Sequence, residues 1–176
     1  RDEGVIKTSA GEDSYEVYKF KLNFGYGKQV SRNTLQVNRG RIDHGHVIFS
    51  DVAQAAGLAA TDWSWCPLAV DFDGDGLKDV FISNGIVRRP NDLDYINFIS
   101  NDSIQQASQD SDFILANMMP EGKVSNFLFK NRGELTFDDK TNDWGLFLPG
   151  FSNGAAYGDL DNDGDPDLVV NQINGD

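Results

Sequence analysis

Cysteine is nearly missing from this chain: Cys66 stands alone, so no internal disulfide can form. Long apolar runs are missing too, and nothing approaches the ~18 consecutive apolar residues of a membrane-spanning helix. Histidine is confined to His44 and His46, inside one short polar loop. Positive charge is scarce. Fifteen Lys and Arg stand against 28 Asp and Glu, a formal net charge of −13. That balance argues against nucleic acid as a partner, because phosphates attract basic surfaces. No secretory leader pattern is visible. The chain begins at Arg1 rather than Met, which leads us to expect that processing or truncation removed an upstream segment.

Aspartate and glycine are plentiful, and their arrangement is specific. Asp71-Phe72-Asp73-Gly74-Asp75-Gly76-Leu77-Lys78-Asp79 carries four aspartates at positions 1, 3, 5 and 9. Asp159-Leu160-Asp161-Asn162-Asp163-Gly164-Asp165-Pro166-Asp167 repeats that spacing. So many carboxylates at close range repel one another unless a hard dication gathers them. Calcium takes six to eight oxygens, and the carbonyl at position 7 (Leu77, Asp165) can add one. Gly76 and Gly164 occupy position 6, where the loop must turn sharply. An EF-hand would need a Glu at position 12, but Ile82 and Val170 stand there. Each loop instead runs into a β-branched apolar stretch, the mark of a buried strand. The reading is two Ca²⁺ loops, each feeding a strand. Two such ions would bring the formal charge from −13 to −9.

The loops belong to a longer repeat. An offset of 88 residues carries Phe49 to Phe137, Asp51 to Asp139, Gly57 to Gly145, Leu58 to Leu146 and Ser64 to Ser152. Asn38-Arg39-Gly40 likewise resembles Asn131-Arg132-Gly133, with a few extra residues in the first copy. Along the chain, strands are expected at Tyr15–Phe24, Thr34–Val37, Val47–Phe49, Leu68–Val70 and Val80–Ile82. A helical turn is expected over Asp51–Gly57, and a hairpin from Phe127–Phe129 to Leu135–Phe137 across Asn131-Arg132-Gly133. Residues 91–119 break the pattern and read as a helical insertion, with Asn91 or Asp92 capping one helix and Asp102 or Ser103 another. Subtracting about 32 inserted residues leaves a unit of about 56, close to one propeller blade with long loops.

The run of Asn-x-Gly, Phe-x-Asp, Gly-Leu, Trp63-Ser64-Trp65 and the aspartate loop resembles the FG-GAP/VCBS repeat. More narrowly it resembles the group with ASPIC/UnbV-type tails, found in secreted and surface proteins of Bacteroidetes. The carriers are Arg32–Gly40, Thr61–Trp65, Asp71–Asp79, Asn84-Gly85, Arg88–Asp92 and Asp159–Asp167, and the likeness spans roughly 30–176. It implies a β-propeller related to the integrin α head, with calcium in loops between strands. The second copy departs from it, with Phe151-Ser152-Asn153 where Trp63-Ser64-Trp65 would be.

Other residues invite a reading. Asp43-His44-Gly45-His46 reads as an exposed polar loop rather than a metal site, and Cys66 as a small buried residue beside Trp65. Trp63, Trp65 and Tyr95 are candidates to stack on a ligand, although aromatics beside a calcium loop more often form core. Arg88-Arg89 reads as solvated rather than anion-binding, and Met118-Met119 as packing within the insertion.

The expected fold class is all-β, a β-propeller of roughly two to three blades, incomplete, with a helical insertion. As one segment, 1–176 divides into a first repeat at 30–90, the insertion at 91–122 and a second repeat at 123–176. Two Ca²⁺ ions are expected: Asp71, Asp73, Asp75, Asp79 and the Leu77 carbonyl hold one; Asp159, Asp161, Asp163, Asp167 and the Asp165 carbonyl hold the other. The expected function is non-catalytic, a surface module for adhesion or for binding a protein or glycan ligand, extracellular and not inserted in a membrane. The alternatives are the propeller part of a polysaccharide lyase or hydrolase, and a structural scaffold. About two and a half units cannot close a ring of four to eight blades, so further blades or self-association are expected to complete it.

Overall fold

The computed structural model describes residues 15–27, 31–41, 45–101, 104 and 112–173. They fall into two compact units, one within 1–31 and 87–122, the other within 32–86 and 123–176. The expected cap at Asp102 or Ser103, and Asp43 and His44, lie outside the described residues.

The larger unit is built of antiparallel sheet. Strand β1 (Gln36–Arg41) pairs with β2 (Val47–Asp51). Strands β3 (Ser64–Val70), β4 (Asp79–Asn84), β5 (Phe127–Asn131) and β6 (Phe137–Asp139) form a four-stranded meander in chain order. Strand β7 (Ser152–Gly158) pairs with β8 (Asp167–Gln172). The aspartate loops join β3 to β4 and β7 to β8, so these hairpins are two copies of one unit. The β1–β2 pair likewise repeats β5–β6. The backbone bonds follow the repeat, Leu128 answering to Leu35 across the few extra residues of the first copy. Val52 N–H donates to the Leu35 carbonyl at 2.9 Å, and Lys140 N–H to that of Leu128 at 2.8 Å. Gly85 N–H donates to the Trp63 carbonyl at 3.2 Å, and Ile173 N–H to that of Phe151 at 2.9 Å.

Strand β4 lies between β3 and β5 and is buried along nearly its whole length, as its unbroken apolar run requires. Ile82 joins Ala56, Leu58 and Phe129 in the core, flanked by Leu35, Val80, Phe127 and Phe137. Strand β7 packs on β3, and the Cys66 thiol reaches the Ala155 carbonyl at 3.5 Å; Cys66 is half-buried rather than fully enclosed. Several strands differ from expectation. β3 begins four residues before Leu68, inside the tryptophan-rich segment, because Pro67 sits beside a register shift that spares its missing N–H. Leu135 and Thr136 belong to the β5–β6 turn, and β1 runs on through Asn38-Arg39-Gly40 instead of ending there.

Each helical turn after β2 and β6 is fixed by an aspartate. Asp51 Oδ1 accepts from Ala53 N–H at 3.1 Å and Leu35 N–H at 3.3 Å, while Oδ2 accepts from Arg32 at 2.9 Å. Asp139 Oδ1 accepts from Thr141 N–H at 3.0 Å. The Ala53 amide chiefly, with Leu35 and Arg32, holds the Asp51 carboxyl below its ordinary value of 3.8 against a smaller opposing effect of burial. A carboxyl lowered in the fold adds stability above its unfolded pKa and loses it as pH falls through the folded one. Asp51→Asn should therefore melt lower than wild type at pH 7, with the gap closing as the pH falls from neutral to well below the ordinary value of 3.8. Thermal melts at the two pH values check this; an unchanged gap would exclude a role for the charge.

The smaller unit is helical. The stretch expected as a strand at Tyr15–Phe24 is helix α1 (Tyr15–Asn23). Its apolar residues Val17, Phe20 and Phe24 fit helical spacing, while Phe20, Leu22 and Phe24 alternate. Contacts four residues apart decide the matter: the Phe20 and Phe24 rings lie 4.5 Å apart, and the Lys19 ammonium sits 4.6 Å over the Tyr15 ring. Within the insertion, α2 (Leu93–Ile99) is capped by Asp92, whose carboxylate accepts from Tyr95 N–H at 3.0 Å. Tyr95 is 8% exposed and its hydroxyl donates to the Leu115 carbonyl at 3.1 Å, tying α2 to α3 (Asp112–Asn117). Arg89 N–H donates to the Pro120 carbonyl at 2.8 Å and the Arg88 guanidinium to that of Met119 at 3.2 Å. These bonds pinch the base of the insertion, so Arg88 is a structural clasp while its side chain stays partly solvated. Met118, expected inside, is 53% exposed.

Candidate metal centre

Each aspartate loop is folded by its own carboxylates. Asp71 Oδ1 accepts from Asp75 N–H at 3.1 Å and Oδ2 from Gly76 N–H at 2.9 Å. In the second loop Asp159 Oδ2 accepts from Gly164 N–H at 3.1 Å. Position 5 fixes the peptide of position 7: Leu77 N–H donates to Asp75 and Asp165 N–H to Asp163, both at 2.9 Å. The position-9 carboxylate reaches back to position 2, accepting from Phe72 N–H at 3.1 Å and from Leu160 N–H at 2.8 Å. The chain is left-handed at positions 4 and 6, with φ of 69° at Gly74, 61° at Asn162, 86° at Gly76 and 97° at Gly164. Glycine accepts that conformation freely and asparagine tolerates it, which explains the one change of residue type at position 4.

This frame gathers oxygens at one point in each loop. Carboxylate oxygens of Asp71, Asp73 and Asp79 all lie within 4.8 Å of one another, as do those of Asp159, Asp161 and Asp167. Two oxygens on opposite sides of one calcium ion stand about 4.6–5.2 Å apart, from bond lengths of about 2.3–2.6 Å. An all-oxygen, anionic donor set of this span fits calcium. Asp75 and Asp163 stand outside the clusters, their carboxylates turned to the position-7 amides.

The two loops differ in their surroundings. Asp79 is fully buried, and its Oδ1 accepts from Asn131 N–H at 2.9 Å; the Asn131 amide donates to the Lys78 carbonyl, also at 2.9 Å. The end of β5 is thereby stitched to the first loop. Lys130, next along β5, places its ammonium on Asp73 and at 3.0 Å from Asp75. Neither Lys130 nor Asn131 is visible from the loop spacing, since each lies more than fifty residues away in sequence. The repeat held a partial signal for Asn131. Its counterpart Asn38 makes the same turn, Gly40 N–H donating to its Oδ1 at 2.8 Å and Gly133 N–H to that of Asn131 at 2.9 Å.

The two candidate stacking tryptophans are not beside the first loop. Trp63 precedes β3 and Trp65 is its second residue, and the first loop follows the strand's far end, about 20 Å from Trp65 at 3.3 Å per residue. Trp65 is 49% exposed while its indole N–H donates to the Gly85 carbonyl at 2.6 Å; Trp63 is half-buried. Tyr95 belongs to the helical unit and borders an open cavity of about 290 Å³ with Asp92, Asp94, Phe98, Met118 and Pro120. The second copy also differs just ahead of the tryptophan positions. Ser64 Oγ shares a hydrogen bond with Thr61 Oγ1. Pro149 replaces that threonine, and the buried Ser152 Oγ has no partner.

Comparison with known proteins bears on the second repeat. Residues 108–170 match the FG-GAP-like repeat family, a segment of about a third of the chain that contains the whole second loop. No curated protein and no solved structure matches the chain.

Proposed function

We propose, with the FG-GAP-like match as premise, that this chain is a calcium-stabilised, non-catalytic β-propeller module that binds a protein or glycan at the cell surface. The observation that carries this is the duplicated oxygen cluster, the same three positions of each loop converging inside the same hydrogen-bond frame. Asp71, Asp73 and Asp79 would hold one ion, with Asp75 and the Leu77 carbonyl completing the shell. Asp159, Asp161 and Asp167 would hold the other, with Asp163 and the Asp165 carbonyl. The four-stranded meander has the strand order of a blade, and β7–β8 opens the next.

Burial supports a stack of such sheets. Phe81 on β4 is 0% exposed with β7 against its sheet, whereas Val169, its counterpart on β8, is 50% exposed, and Tyr157 and Leu160 are exposed as well. A further repeat packed on β7–β8 would cover that face as β7 covers β3 and β4. Binding is assigned to Trp65 and to the insertion, a long non-blade segment of the kind that carries function on a rigid scaffold. The narrower likeness to surface proteins with ASPIC/UnbV-type tails belongs to this same extracellular reading.

A glycan and protein array probed with the whole chain in calcium, and again in chelator, tests the reading beside a screen for polysaccharide depolymerisation. Calcium-dependent capture without cleavage is expected. Depolymerase activity would favour the lyase or hydrolase alternative, and neither capture nor cleavage would favour a scaffold.

A further inference from the structure

The first loop carries a feature that the second does not show. Lys130 is only 15% exposed, and its ammonium lies against Asp73 and within 3.0 Å of Asp75. Its position is set by the backbone: Lys130 pairs with Asp138 across the β5–β6 ladder, and Asn131 beside it is fixed to Asp79 and Lys78. Among the described residues no ammonium or guanidinium pairs with Asp159, Asp161 or Asp163.

We propose that Lys130 is an affinity-setting residue of the first metal loop, an internal cation that competes with calcium for Asp73 and Asp75 and so makes the two loops unequal. The inference rests on the calcium reading of the loops. A compact, strongly hydrated ammonium on a flexible stem can neutralise part of a carboxylate cluster and swing away when a divalent ion enters. With Lys130 in place the first loop tolerates calcium withdrawal, because about one of its negative charges is already balanced. The second loop, lacking a paired base, relies on the ion alone. A like charge a few ångströms from a bound dication also weakens its hold, in the same direction.

Calorimetric titration of the full chain with calcium chloride tests this in an Asp161→Ala background, which removes a ligand from the second loop and isolates the first. Lys130→Met should tighten first-loop binding on the order of tenfold or more, while Lys130→Arg should leave it near wild type. Lys130→Gln, also uncharged, should match the methionine variant and serves if that variant folds poorly. Thermal melts add a second readout: the uncharged variants should lose more melting temperature in chelator than the parent. Unchanged or weaker calcium binding in both uncharged variants would overturn the proposal and leave Lys130 a structural ion pair. Absence of calcium binding in wild type and every variant would overturn the calcium reading itself, and the proposal with it.

Discussion

Gly85→Ala is expected to remove most of the stability of the repeat unit. An added Cβ would stand 2.3 Å from the Gly150 carbonyl oxygen, 3.0 Å from Phe151 Cα and 3.2 Å from the Gly150 carbonyl carbon. All three are backbone atoms, so no side chain can swing aside. Gly150 cannot easily retreat, because it exchanges hydrogen bonds of 3.0 and 3.2 Å with Val124. Gly85 cannot retreat either, since it donates to the Trp63 carbonyl at 3.2 Å and accepts from Trp65 at 2.6 Å. Its φ of 111° is strained for any L-residue as well. We expect a loss above about 4 kcal/mol, the range reserved for clashes and broken networks. That corresponds to a fall in melting temperature of roughly 8–16 °C for a chain of this size. Gly133→Ala is the control. Its φ is 84°, but nothing lies within 4 Å of the added carbon, so only the backbone term of about 1–2 kcal/mol applies. Equal losses in the two variants would show that the close approach at Gly150 is unimportant.

Asp79→Ala should have the second largest effect, and it should persist in chelator. Asp79 is fully buried and accepts from two backbone amides, Phe72 at 3.1 Å and Asn131 at 2.9 Å. Alanine would strand both donors, at about 1–3 kcal/mol each. The stitch between the loop and β5 would open with them. Asp73→Ala makes the contrast. Its carboxylate serves the oxygen cluster and Lys130, with no backbone bond among the contacts that fix the loop. Its loss should lower the melting temperature in calcium and matter little in chelator. Melting both variants in calcium and in chelator separates the roles; a chelator-independent loss at Asp73 would contradict the division.

The parts legible in the sequence are those written in local spacing. The aspartate loops and their duplication follow from nine-residue patterns, and β4 from its apolar run. Position 4 was also readable in principle, because Gly74 and Asn162 are residue types that tolerate a left-handed backbone. The parts that were not legible depend on distant partners. Lys130 and Asn131 reach the first loop from beyond the insertion, and no spacing rule spans such a gap. The early start of β3 was hidden by Pro67, which spacing rules treat as a strand breaker and the register shift accommodates. α1 is ambiguous in sequence because Phe20, Leu22 and Phe24 alternate while Val17, Phe20 and Phe24 follow helical spacing in the same short window. Tyr95 reads from the sequence as a candidate to stack on a ligand, yet it is buried and its hydroxyl is held by the Leu115 carbonyl in α3.

The central claim is that both aspartate loops bind calcium and that the ions hold the repeat unit together. A ligand bound only by the native state at a hundredfold excess over its dissociation constant adds about 2.7 kcal/mol. The direct measurement is calorimetric titration of chelator-stripped protein with calcium chloride, followed by melting of the stripped and loaded forms. The account predicts a stoichiometry near two, reduced to one by Asp161→Ala, and a higher melting temperature for the loaded protein. No heat of binding at millimolar calcium, or identical melting of the two forms, would contradict it.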